Sequence, residues 1–430
     1  MTDKFSLHAA LVALALLAVA ASGPALAVID GVTGTSFRLT AKTDVITTPE
    51  GGAITIWGFA NTTTNAGTRA QYPGPTLIVD EGARVTITLV NELDMPVSII
   101  FPGQATVAVE GGVAGLLTQE APDAANNGGV PGSVTYTFVA TKPGTYLYES
   151  GTRPDLQVEM GLFGVLIVRP ALGANYAYNH ADTRFDHEYL FLISEIDPSI
   201  HDMIDFGLVD EIDTTAYWPV YWFFNGRAAP DTVAAPNVAW LPTQPYNCLP
   251  RQHPGEKTLM RVVTASRSIH PFHHHGNHAR IIARDGRLLE SAPNAGPDSS
   301  YEVFTIPAVP GETVDAIFTW TGWGMGWDLY GHAPGDDPAP GEDPAWHGKP
   351  VTDRVQLPEA QNLTFGPYYS GSPYLGNAGQ LPPGEGGMNP NSSYFFMWHS
   401  HAERELTNFD IFPGGMMTFM LIEPPGVSIP

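Results

Sequence analysis

His270-Pro-Phe-His-His-His-Gly-Asn-His278 holds five of the chain's 14 histidines, and Trp398-His399-Ser400-His401 holds two more. Both stretches adjoin apolar runs and read as short strand-like pieces. Residues i and i+2 of a strand point to the same face, so His273 shares a face with His275, and His399 shares one with His401. If the two strands are neighbours, four imidazoles converge. Converging imidazoles suit copper, zinc, iron or nickel. A pair of histidine-rich surface loops is the plainer reading, and it fits a lone His-x-His better than two such pairs in a chain otherwise poor in histidine.

Working outward, the rest of the chain alternates with period two. Ala53-Ile-Thr-Ile-Trp-Gly-Phe59, Arg84-Val-Thr-Ile-Thr-Leu-Val90, Val134-Thr-Tyr-Thr-Phe-Val139, Thr145-Tyr-Leu-Tyr148 and Leu162-Phe-Gly-Val-Leu-Ile-Val168 follow one another with turn signals such as Asp80-Glu-Gly82 and Pro143-Gly144 between them. Short strands at this spacing predict a β-sandwich. Residues 103–132, rich in glycine and alanine, read as a loop, and 171–187 read as a linker. A second all-β unit follows over 188–430, from Glu188-Tyr-Leu-Phe-Leu-Ile193 through Thr258-Leu-Met-Arg-Val-Val263, Arg280-Ile-Ile-Ala283 and Thr313-Val-Asp-Ala-Ile-Phe-Thr-Trp320 to Thr418-Phe-Met-Leu-Ile422. One short helix is expected within 198–212. Residues 321–393 are dense in glycine and proline, and an irregular segment of this length is usually functional or disordered. It reads either as a lid or subunit contact over the histidines or as a solvated insertion.

The start of the chain, a lysine, an apolar run over 9–21 and Ala25-Leu-Ala27, has the form of a secretory signal peptide cleaved after Ala27. Export to the periplasm or beyond the cell is therefore expected, with no membrane span once the leader is gone. A net charge of −24 spread along the chain argues against nucleic acid and anionic membrane as partners. With Cys248 as the one cysteine, no intrachain disulfide can form, and packing alone must stabilise the fold.

The histidine motifs also carry a resemblance. His270-Pro-Phe-His-His-His-Gly resembles the His-Pro-Phe-His-Leu-His-Gly motif of the multicopper oxidases, and His399-Ser-His401 with Gly414-Gly-Met-Met417 resembles their C-terminal His-Cys-His and Gly-Met elements. Tyr72-Pro-Gly-Pro-Thr76, Gly144-Thr-Tyr-Leu-Tyr148, Met160-Gly-Leu-Phe-Gly164 and Phe224-Asn-Gly-Arg227 are similar to further segments of that family. The resemblance implies tandem cupredoxin-like β-sandwiches of Greek-key type: one over 28–170, the other over 188–430 with the 321–393 insertion.

The departures from the family pattern bear most on chemistry. Family members hold a type 1 copper that collects electrons and a three-copper cluster, bound by four His-x-His pairs, that reduces dioxygen. Where the first domain of the family has Ser-Ile-His-Trp-His-Gly, this chain reads Ser98-Ile-Ile-Phe-Pro-Gly103, and in place of Tyr-His-Ser-His it reads Tyr148-Glu-Ser-Gly151. Two pairs survive, His273 with His275 and His399 with His401. At the type 1 position His270 is kept, but Ser400 stands where the thiolate would be and Glu405 where the second histidine would be. A serine hydroxyl cannot supply the soft thiolate bond of a blue-copper centre, so no blue colour is predicted. Met416 or Met417 falls at the axial position and reads better as core packing.

The site expected from the sequence is therefore a residual four-histidine copper site at His273, His275, His399 and His401, with zinc as the alternative metal and Glu149 as a candidate extra oxygen ligand. His270, Ser400 and Glu405 form either a second, harder metal site or a buried hydrogen-bond network, the network being preferred. His274 and His278 read as structural or as supports of the ligand rings, His332 and His347 as exposed surface histidines rather than ligands, with an approach to the site from a lid as the alternative, and His180, His187, His201 and His253 carry no signal. An exported copper binder is the favoured function, with non-laccase oxidoreductase activity beside it. The alternative is a structural or assembly protein with vestigial histidines. A metal ion, an electron-transfer or small-molecule partner, and further copies of the same chain are the expected partners.

Overall fold

The structure, a computed structural model, describes residues 29–65, 67–353, 374–381 and 387–429. The expected leader at 1–27 and part of the 321–393 insertion lie outside the described residues.

In the first sandwich, Ser36–Thr47 (β1), Ala53–Asn61 (β2), Leu77–Asp80 (β3), Arg84–Asn91 (β4), Gly132–Val139 (β5), Gly144–Glu149 (β6) and Phe163–Arg169 (β7) form two sheets. One has the order β2-β1-β4-β5, and the other places β3 beside β7 and β7 beside β6. Alternation sets the inner face: β5 reads buried, exposed, buried from Gly132 onward, so Val134, Tyr136 and Phe138 point into the core beside Leu39, Phe59 and Ile87. The stretch read as a loop over 103–132 contains strand pieces at Ala108–Gly111, Val113–Ala114 and Gln119–Glu120, the first of which lies along β5.

The second sandwich is built from His187–Ile196 (β8), Tyr221–Phe224 (β9), Lys257–Thr264 (β10), His270–His274 (β11), Ala279–Arg284 (β12), Thr305–Ala308 (β13), Thr313–Thr319 (β14), Tyr394–Ser400 (β15) and Met417–Ile422 (β16). One sheet runs β9-β8-β10-β14-β12, and the facing one runs β16-β15-β11-β13. The two tandem units are cupredoxin-like β-sandwiches. The helix expected in 198–212 spans Pro198–Asp205, with Asp197 accepting the Ser199 N–H at its N-cap and a proline in its first turn. Residues 171–186 are no slack tether. Tyr178 and Phe185 are buried there, and Tyr178 Oη donates to Asp315 Oδ2 at 2.6 Å.

A buried polar seam joins the sandwiches. Glu188 accepts from Arg169 and Arg261, and Arg261 Nη1 donates to Thr145 Oγ1 at 2.9 Å. Buried charges are tolerated only when paired and hydrogen-bonded. Here burial disfavours the Glu188 charge, yet the two guanidiniums outweigh it and hold the carboxyl below its usual range. Among the described residues, no helix is long and apolar enough to cross a membrane.

Candidate metal centre

Register decides which side chains meet. Strands β11 and β15 are antiparallel neighbours with Phe272 opposite Ser400, His273 opposite His399, and His274 opposite Trp398. Directly opposed residues place their Cβ atoms about 5 Å apart, and the His273 and His399 ring centroids are 5.5 Å apart. Beyond the paired segment, His275 N–H donates to Met397 O and His401 N–H to Pro271 O, so both rings stay on the face of the central pair. Gly276 turns the chain directly after His275 at φ 104°, where a Cβ would lie 2.8 Å from the Phe396 ring.

The alternate residues form the underside. Phe272 and Trp398 are buried, and they pack on Phe191, Phe224 and Phe318 at centroid distances of 5.0–5.7 Å. Trp398 Nε1 donates to His275 O at 3.0 Å and so anchors the end of the motif from below.

On the outer face, His273, His275 and His399 each bring a ring nitrogen within 4.8 Å of the others. His273 Nδ1 lies 2.8 Å from Thr305 Oγ1, and His399 Nδ1 lies 2.6 Å from the Ser400 carbonyl. Holding one ring nitrogen fixes the orientation and tautomer of an imidazole and leaves the other for a metal. His399 Nε2 and His275 Nε2 face each other at 3.2 Å, a contact satisfied by one shared proton or by a cation that takes both lone pairs. Burial lowers the pKa of all three rings below the usual imidazole value, and the neighbouring rings lower it further. They are therefore neutral, which is the form that binds metals. His401 stands at the solvent edge with its ring 4.9 Å from that of His273.

Glu149 is not brought to this centre. Its backbone bridges Ile100 within the first sandwich, and among the described residues it belongs to none of the groups whose ligand atoms converge. Burial raises its pKa.

His270, Ser400 and Glu405 meet on the buried side of the same strands. His270 Nδ1 is 3.0 Å from Glu405 Oε2, and Ser400 Oγ donates to that same oxygen. Glu195, which no sequence motif marks, lies on the far side with its Oε2 3.7 Å from His270 Nε2. His274 is buried as well; its Nε2 accepts the Ala279 N–H at 3.0 Å, and burial lowers its pKa to about 4.

Two further clusters have no signal in the sequence, because their members meet only through loops. His187 and His253 both contact Glu256 Oε2, at 2.8 and 3.0 Å. Burial opposes the Glu256 charge, but these hydrogen bonds outweigh it and keep the carboxyl below its usual range. His332 and His347, expected at the surface, are instead gathered around Glu342, and His332 is 10% exposed at its side chain. The described part of the insertion buries Trp327, Leu329 and Val351 in the second core, so it is packed against the sandwich.

Comparison with known proteins bears on this arrangement. Residues 54–172 match the family model for multicopper oxidases. A multicopper oxidase of Talaromyces pinophilus is 39% identical over 104 residues, which is 23% of this chain and 15% of that protein. A copper resistance protein A homologue of Pseudomonas syringae pv. tomato is 36% identical over 142 residues, 32% of this chain and 20% of that protein. The matched stretch thus spans a fifth or less of these relatives' length. Among solved structures, a blue copper oxidase from Nitrosomonas europaea is 18% identical with a TM-score of 0.56, covering 90% of this chain and 85% of that one. A multicopper oxidase, mgLAC, is 20% identical with a TM-score of 0.56, covering 92% and 87%. At these identities the structural likeness is one of fold. The names are those of copper proteins, and none of them supports zinc as the metal.

Proposed function

We propose, from the match of residues 54–172 to the multicopper oxidase family model and the shared fold of its structural neighbours, that this chain is an exported protein of the cupredoxin-type multicopper oxidases, holding copper at His273, His275 and His399, with His401 closing the site from the solvent side. The observation that carries the reading is the inward aim of three neutral imidazoles, two of them fixed at Nδ1 by Thr305 Oγ1 and the Ser400 carbonyl. An all-imidazole donor set suits copper, which leads the divalent first-row metals in affinity. Bound copper would supply one-electron redox chemistry at this face.

The protein's own residues shape how such chemistry is reached. Ser400 and Glu405 occupy the positions of a thiolate and an imidazole, so the route by which family members pass electrons inward is missing. Electrons then arrive from a small molecule or protein partner at the edge where His275 and His401 are exposed. Non-laccase oxidoreductase activity on a small molecule is the accompanying proposal, and the periplasm or the extracellular space is the proposed location.

Copper analysis of the purified mature chain tests the reading. One tightly held equivalent is expected, with the paramagnetic resonance spectrum of a nitrogen-ligated, non-blue Cu(II) and no intense thiolate absorption. His273→Ala with His399→Ala should abolish that equivalent. Protein that holds no copper above background after dialysis would instead point to a scaffold with vestigial histidines.

A further inference from the structure

The insertion carries a second constellation, built unlike the first. One ligand atom from each of His332, Glu342 and His347 lies within 4.8 Å of the others. His332 Nε2 is 3.4 Å from Glu342 Oε2, and His347 Nδ1 is 2.7 Å from Glu342 Oε1. The outward ring nitrogens are also held. His332 Nδ1 lies 3.1 Å from both Asp328 carboxylate oxygens, and His347 Nε2 lies 3.1 Å from the Asp336 carbonyl.

Counting donors exposes the difficulty with this cluster as it stands. Four ring nitrogens face four acceptors, whereas a neutral imidazole donates through only one nitrogen. Two neutral rings leave two lone pairs aimed at Glu342. Two imidazolium rings would satisfy every contact, but their centroids are 4.3 Å apart and like charges at that range repel.

We propose that His332 Nε2, His347 Nδ1 and Glu342 bind a divalent transition-metal cation of the zinc class, which ties the two ends of the 328–347 loop to each other. With the cation in place both rings are neutral. Each then donates its outer proton, His332 to the Asp328 carboxylate and His347 to the Asp336 carbonyl, the outer partners that metal-bound histidines usually have. Asp328 is itself fixed by the N–H groups of Tyr330, His332 and Gly348. Two imidazoles and a carboxylate suit tetrahedral zinc with one position left over. The adjoining space, lined by Asp328, Tyr330, Glu342 and His347, is about 10 Å³, enough for about one water and no substrate. The site is therefore structural, and its purpose is to order an irregular segment that has few strands of its own.

Zinc titration of the chelator-stripped full chain against a chromophoric chelator, with cobalt as a spectroscopic probe, tests this. The parent should take up zinc tightly and give the intense visible bands of tetrahedral cobalt. Glu342→Gln, which keeps the side chain's shape, and His347→Ala should each remove one zinc equivalent and those bands, and should hasten proteolytic cleavage within the insertion at least tenfold. The same titration in a His273→Ala, His399→Ala background should retain the site, which separates this proposal from the copper reading. An unchanged zinc equivalent and cobalt spectrum in Glu342→Gln, or no tight zinc in the parent, would overturn it in favour of an ion-paired imidazolium cluster.

Discussion

The two sandwiches contain the same strand crossing with different side chains on it. In the second, His273 stands opposite His399; in the first, Ile100 stands opposite Glu149, joined by reciprocal backbone hydrogen bonds. The undersides match closely. Phe272 and Trp398 lie beneath the histidines with centroids 6.2 Å apart, and Phe101 and Tyr148 lie beneath the other pair at 6.4 Å. Buried aromatic packing and backbone pairing thus make the crossing. The side chains on the outer face contribute little to it, so one unit can lack its imidazoles while the fold persists.

That contrast can be broken most severely from below. Trp398→Ala and Phe101→Ala should each lower unfolding stability by about 3–5 kcal/mol in urea titrations, the usual cost of emptying a large aromatic site. Only Trp398→Ala should also weaken copper binding, since it releases the His275 carbonyl. Equal copper affinity in the two variants would mean that the aromatic underside does not position the metal face.

Acid sharpens the same contrast. The folded-state pKa of His274, about 4, lies below its ordinary value of 6.5. Above 6.5 the ring is neutral in both states and contributes nothing. As pH falls from 6.5 towards 4 the unfolded chain takes up the proton first, so stability drops by about 3 kcal/mol and the loss is complete below the folded pKa. Glu149 works in the opposite sense, because its raised pKa favours the folded state as the carboxyl protonates. Unfolding measured from pH 7 to 4 should show a slope to which His274 contributes alongside His273, His275 and His399, and His274→Gln should lessen it. A variant that kept the full slope would assign it to other groups.

The smallest effect separates ligand support from bystander. Thr305→Val removes the partner of His273 Nδ1 and should weaken copper by about 10-fold, the lower end for such outer contacts. Glu149→Gln should leave copper affinity unchanged. A copper loss in Glu149→Gln would return that carboxylate to the site, by way of a second copy of the chain.

The fold was legible because its signals are local. Period-two alternation in strands such as Arg84–Asn91 and Gly132–Val139, and short, mostly apolar runs such as Phe163–Arg169 and His187–Ile196 that are buried on both faces, mark the strands, and turn residues separate them. The outer face of the histidine pairs was legible for the same reason, since His273 with His275 and His399 with His401 each share a face by spacing alone. Thr305, Glu195 and the Glu342 cluster were not legible. They reach their partners across strands or loops distant in sequence, and no periodicity links Thr305 to His273 or Glu195 to His270.

Residue type and spacing determined that this chain is a β-sandwich protein with imidazoles arranged in pairs in its second half, and the resemblance to multicopper oxidases implied that the first half lacks the matching pairs. Tertiary structure alone decided that His273 pairs with His399, that Glu149 belongs to the other sandwich, and that His332 and His347 gather around Glu342. The reason is that spacing fixes which face of an element a side chain occupies, whereas the register between strands and the packing of loops fix what that face meets.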